Sequence, residues 1–171
     1  MRAPPLLPEE TLYRVLRLAR FNGLSVLVIA GFFSLVSAAG HDVPGAIVGV
    51  LVAGAGAFEL HGVSLLRNGY ARGTTWLVWS QLYLLAVVLV YVALRLTHVD
   101  IEPMRQILTE EQRETISISG MGEDQFLRTI YTISSVVFGV VTFFYQGGMA
   151  LYYHRRRAAI ATALAIGADE P

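Results

Sequence analysis

Apolar positions fall in four long runs, roughly 21–39, 43–66, 75–96 and 130–153, separated by short polar or charged connections except for one longer segment over 97–129. A helix rises about 1.5 Å per residue, so about 20 residues cross a hydrocarbon core of about 30 Å. Each run has that length or comes within a residue or two of it. In lipid only helices and closed barrels satisfy their own backbone polar groups, and continuous rather than alternating apolar runs mean helices. The pattern therefore predicts an all-α integral membrane protein, a four-transmembrane-helix bundle forming a single membrane domain over 1–171.

The flanking segments extend the plan. Pro8-Glu9-Glu10 places proline and acids where a first helical turn favours them. Leu12, Val15, Leu16 and Ala19 then share one side, which predicts an N-terminal interfacial helix over 8–20, or equally an extension of the first span. Arg14, Arg17 and Arg20 before an apolar run ending in Val36-Ser37-Ala38 have the outline of a signal peptide, but the run exceeds a usual signal core and is read as an uncleaved span. Residues 154–166 are good helix formers that predict a cytoplasmic helical tail on span four.

Between spans three and four, the outer segment 97–129 is expected to be partly helical and extracytoplasmic. Pro103 can open a helix carrying Met104, Ile107 and Leu108, and Thr109 with Gln112 fits a capping box. Gly120 and Gly122 then break the chain before Glu123-Asp124-Gln125 starts the last helix. The segment reads as a folded linker or as a cap over an outward opening.

Arginine distribution sets the expected orientation. Arg2, Arg14, Arg17 and Arg20 precede span one, Arg67 and Arg72 lie between spans two and three, and Arg155, Arg156 and Arg157 follow span four. The positive-inside rule puts both termini in the cytoplasm, in agreement with an even number of spans, and a bacterial inner membrane is the expected location. Charged residues make up only 15% of the chain, below the proportion usual in soluble domains. There is no cysteine, which excludes disulfides, thiolate metal sites and cysteine nucleophiles.

Small residues mark a packing face on span two. Gly45, Gly49, Ala53 and Ala57 recur every four residues, joined by Gly54 and Gly56. Such spacing lets helix backbones approach closely in lipid. The partner is another span or another protomer, and a homo-oligomer or a larger membrane complex is expected.

The candidate chemistry is a polar layer inside the membrane. Glu59 lies about 7 Å from the centre of span two toward the cytoplasm, and Ser25, Gln81 and Gln146 fall at about the same depth in the other spans. His61 stands beside Glu59 in sequence. An ionisable group within a span marks a functional hypothesis by default. The helical wheel puts Glu59 beside the small-residue ridge, facing protein. It reads as a structural clamp hydrogen-bonded to Gln81 or Gln146, or as a binding or permeation site for a proton, a cation or a small polar or lipid ligand.

Other chemistry is thin. His41 and His98 near one face, with His61 and His154 near the other, offer a bis-histidine haem arrangement as a minor alternative; otherwise no cofactor and no metal site is expected. Arg155, Arg156 and Arg157 are candidates for lipid headgroups, and Trp76, Trp79, Tyr152 and Tyr153 for an interfacial belt. No Gly-rich phosphate loop, HExxH pair or nucleophile elbow occurs, so a non-enzymatic protein is expected, and nucleic-acid binding has no support beyond the short arginine run.

Overall fold

The computed structural model describes residues 7–99, 101–106, 108–118 and 122–168. Every regular element among them is an α-helix: α1 (Pro8–Ala39), α2 (Val43–Arg67), α3 (Gly73–Thr97), α4 (Glu102–Gln106), α5 (Glu110–Ile118) and α6 (Glu123–Ala168). Four of these, α1, α2, α3 and α6, are long and apolar enough to cross a membrane. Their outward faces carry large exposed apolar side chains, including Phe21, Phe32, Phe33, Trp79 and Phe144. Water would penalise such a surface and lipid would not. The chain is a membrane-embedded helical protein.

The expected interfacial helix over 8–20 and the first span are one unbroken helix, α1, with Pro8 in its first turn. The tail over 154–166 likewise continues α6, whose 46 residues extend about 69 Å, well beyond one hydrocarbon thickness. Between α1 and α2 the turn is tight. His41 adopts a left-handed conformation, φ 60°, and the Asp42 carboxylate accepts from the Gly45 backbone N–H to cap α2.

Two compact units divide the chain. The first holds residues 1–87 and 144–171, the second 88–143. In the first, α1 and α2 form an antiparallel hairpin, and their small residues set its closeness. A Cβ built on Gly49 would lie 2.6 Å from Ser34 Cβ, and one on Gly56 would lie 2.6 Å from the Gly23 carbonyl oxygen. The partner of the span-two ridge is therefore α1 of the same chain. Gly45, Gly49, Ala53 and Gly56 lie on this side or in its buried interior, but Ala57 is exposed. Four-residue steps advance 40° each around a helix, so the stripe drifts off the contact, and the seven-residue step from Gly49 to Gly56 stays on it.

A second close approach joins α2 to α3, where a Cβ on Gly73 would meet the Gly62 carbonyl oxygen at 2.5 Å. Nearby, Val15 and Ala19 of α1, Val63 and Leu66 of α2, Leu77 of α3, and Tyr153 and Ile160 of α6 form the buried apolar core of this unit.

In the second unit, the connection is held to the start of α6 by charge. Arg105 pairs with Glu102, Glu123 and Asp124, and Arg113 pairs with Glu123 while donating to the Arg105 carbonyl. The hydrogen bond with Asp124 raises the already high pKa of Arg105. The predicted capping box is present in reciprocal form: Thr109 N donates to Gln112 Oε1 at 3.0 Å, and Gln112 N to Thr109 Oγ1 at 3.4 Å. Of the positions singled out in this stretch, Ile107 and Gly120 lie outside the described residues, as does Arg2 at the N-terminus.

Candidate functional site

Glu59 is 2% exposed, in the first unit, on the face of α2 that meets α1. The register of the hairpin puts Gly23 against it: a Cβ there would lie 3.2 Å from Glu59 Cβ. That absent side chain lets the carboxyl lie between helices.

Its partners come from three helices. Asn22 of α1 donates Nδ2 to Glu59 Oε2 at 2.6 Å. Tyr153 of α6 donates its hydroxyl to Glu59 Oε1 at 2.7 Å. Gln81 of α3 interacts with the same carboxyl. The chain of contacts continues outward, because Tyr145 donates to Asn22 Oδ1 at 3.4 Å. All of these partners are neutral. Among the described residues, no arginine or histidine lies within ion-pair distance of Glu59.

Two buried amide oxygens complete the picture. Gln81 is 1% exposed and Gln146 7%. Neither Gln81 Oε1 nor Gln146 Oε1 has a hydrogen-bond partner. The amide nitrogen of Gln81 also lies 3.5 Å from Ser80 Oγ, whose own hydroxyl is committed to the Leu77 carbonyl. A buried acceptor without a donor costs about 1–3 kcal/mol. The arrangement is a carboxyl with neutral donors and, on the same carboxyl, a glutamine with a spare oxygen.

Of the residues expected in the polar layer, Glu59 and Gln81 come together. Gln146 is buried on α6, adjacent in sequence to Tyr145, but makes no hydrogen bond to Glu59. Ser25 is half-buried and takes no part. His61 is exposed and packs edge-on against Trp76, ring centroids 4.9 Å apart, because two residues of helix rotate it about 200° from Glu59. His41, His98 and His154 are exposed as well. Among the described residues no three histidine, aspartate or glutamate side chains cluster as metal ligands.

Sequence reasoning missed Asn22, Tyr145 and Tyr153. Tyr153, expected in an interfacial belt, is 0% exposed and lies in the core, whereas Trp76, Trp79 and the half-buried Tyr152 face outward to varying degrees. Asn22 carried a usable signal: it is the only amide on the first apolar run. Arg155 and Arg157 are exposed, and Arg156 lies over the Tyr152 ring with 5.6 Å to its centroid, a placement compatible with headgroup contact.

No protein-family model matches this chain, and neither a curated protein sequence nor a solved structure matches it.

Proposed function

We propose that the protein binds or passes a proton or small cation at the intramembrane site formed by Glu59 with Asn22, Tyr153 and Gln81. The observation that carries this reading is the Glu59 carboxyl, buried with only neutral partners and flanked by an amide oxygen that has no donor. A carboxylate taken out of water is strongly disfavoured unless a proton or a cation neutralises it. The oxygens at the site, the two of Glu59 and the donor-free Oε1 of Gln81, suit a proton or a hard monovalent cation better than a soft metal.

The protein sits in the bacterial inner membrane with both termini in the cytoplasm and 97–129 outside, as the arginine distribution supports. It acts without catalysis, and as an oligomer whose contacts lie away from Gly49 and Gly56, since α1 covers those residues. The same cover argues against the alternative of an accessory subunit docked through the glycine ridge.

Infrared difference spectroscopy on the purified protein in lipid tests the site. A protonated-carboxyl band that titrates with pH and is lost in Glu59→Gln is expected, and competition by sodium or potassium would identify a cation as the occupant. A spectrum unchanged by Glu59→Gln across the pH range and with either salt would overturn the reading.

A further inference from the structure

Arg95 lies near the end of α3, two residues before its last residue Thr97, in the second unit. Its Nε donates to the Tyr91 hydroxyl at 2.8 Å and its Nη1 to the Tyr131 hydroxyl at 3.0 Å. The guanidinium also stands over both rings, 5.3 and 5.5 Å from their centroids. These contacts hold the fork in place without neutralising it. Among the described residues, no carboxylate pairs with Arg95. Arg105 and Arg113 of the same unit, by contrast, have acidic partners.

Beside this fixed charge opens a cavity of about 270 Å³, lined by Arg95 and the two tyrosines, by Ser134 and Ser135, and by Val92 and Phe138. Its polarity is graded along the helices. Arg95 and Tyr131 mark one level. Val92 is three residues, about 4.5 Å, further into α3, and Phe138 is seven residues, about 10 Å, further along α6. Gly139 next to Phe138 packs on Val92, where a Cβ would lie 3.5 Å from Val92 Cγ1, so the two helices descend together. The charged end is thus at the boundary of the apolar span and the apolar walls run into it.

We propose that this cavity binds an anion-headed membrane lipid, with Arg95 and the Ser134 and Ser135 hydroxyls on the oxyanion and the acyl chain along Val92 and Phe138. A guanidinium fork held by two hydroxyls keeps a donor-bearing nitrogen, Nη2, for a phosphate or carboxylate oxygen. A free anion would satisfy the charge but leave the apolar walls unused. A neutral lipid would fill the walls but leave the charge unpaired.

The test uses the full chain in a neutral detergent, with binding followed by native mass spectrometry. The probes are a short-chain phosphatidic acid, the diacylglycerol with the same chains, and inorganic phosphate. Phosphatidic acid should bind one per chain and the other two far more weakly. Arg95→Gln should weaken it about tenfold or more, the scale of one charge-assisted hydrogen bond. Ser134→Leu, which fills the cavity and leaves the Arg95–tyrosine contacts intact, should also remove binding with helical content unchanged. Arg128→Gln, an equal loss of charge elsewhere on α6, should leave binding as it was. The proposal is overturned if inorganic phosphate or diacylglycerol binds as tightly as phosphatidic acid, if Arg128→Gln weakens binding as much as Arg95→Gln, or if binding survives Ser134→Leu in a folded protein.

Discussion

Tyr153 and Glu59, 94 positions apart in sequence, share a hydrogen bond of 2.7 Å in the buried interior of the first unit. This bond ties α6 to α2 at the level where Asn22 ties α1 to α2. A single carboxyl thereby holds three helices in register, and its environment is fixed by groups that cannot supply a charge. The structural role and the proposed binding role fall on one side chain, and substitutions at its partners separate them.

Tyr153→Phe keeps the ring in the core and removes only the hydroxyl. The cost expected is about 1–3 kcal/mol, because Glu59 Oε1 is left as a buried acceptor without its donor. Combined with Glu59→Gln, the two changes should be less than additive by at least 0.5 kcal/mol, the coupling typical of groups in direct contact. Unfolding of the purified protein in mixed micelles measures both. Strict additivity would show that the two side chains act separately.

Helix packing gives a second test. Gly49→Leu and Gly56→Leu must push Ser34 or the backbone around Gly23 and Leu27 away, since even a Cβ would lie within 2.6–2.7 Å of them. Both should lower stability by several kcal/mol or prevent folding, in line with the cost of overpacking a close backbone crossing. Ala57→Leu, at an exposed position of the same helix, should cost less than about 0.5 kcal/mol. Thermal melting in detergent compares the three, and equal losses would contradict the register of the hairpin.

What the sequence made legible follows from these residues. Glu59 stood out because an ionisable group interrupts an apolar run, and the ridge stood out because small residues are rare neighbours at constant spacing. Which helix the ridge met was not legible, because small residues advertise closeness and carry no address. Asn22 was hidden by position: with the first span drawn from residue 21, it looked like a boundary residue, whereas α1 begins at Pro8 and Asn22 lies well inside it. Tyr153 was hidden by company, since Tyr152 and Arg155 suggest an interface and only the rotation of α6 turns one tyrosine inward. His61 failed for the converse reason, being near Glu59 in sequence and far from it around the helix.

Orientation is open to chemical labelling, and the absence of native cysteine makes the experiment clean. Single cysteines at Gly40 and Glu110 should react with an impermeant thiol reagent on intact cells, and one at Arg72 should react only after lysis. The arginine distribution on either side of the spans is the basis for this expectation. Labelling at 72 from outside would reverse the topology.

Glu59→Leu and Glu59→Gln together distinguish a clamp from a binding site. Glutamine retains an oxygen to accept from Asn22 or Tyr153 and nearly the same volume, so the fold should persist with a loss of about 1 kcal/mol or less. Leucine removes both acceptors, leaving the Asn22 Nδ2 and the Tyr153 hydroxyl unpaired in a buried site, at about 1–3 kcal/mol for each. If Glu59 serves only as a clamp, Glu59→Gln should behave as the wild type in reconstituted vesicles. If it holds a proton or cation, Glu59→Gln should abolish pH-dependent proton or cation flux while melting close to the wild-type temperature. The proposed function requires the second result. Wild-type flux in a stable Glu59→Gln protein would leave Glu59 as a structural residue and remove the site from this carboxyl.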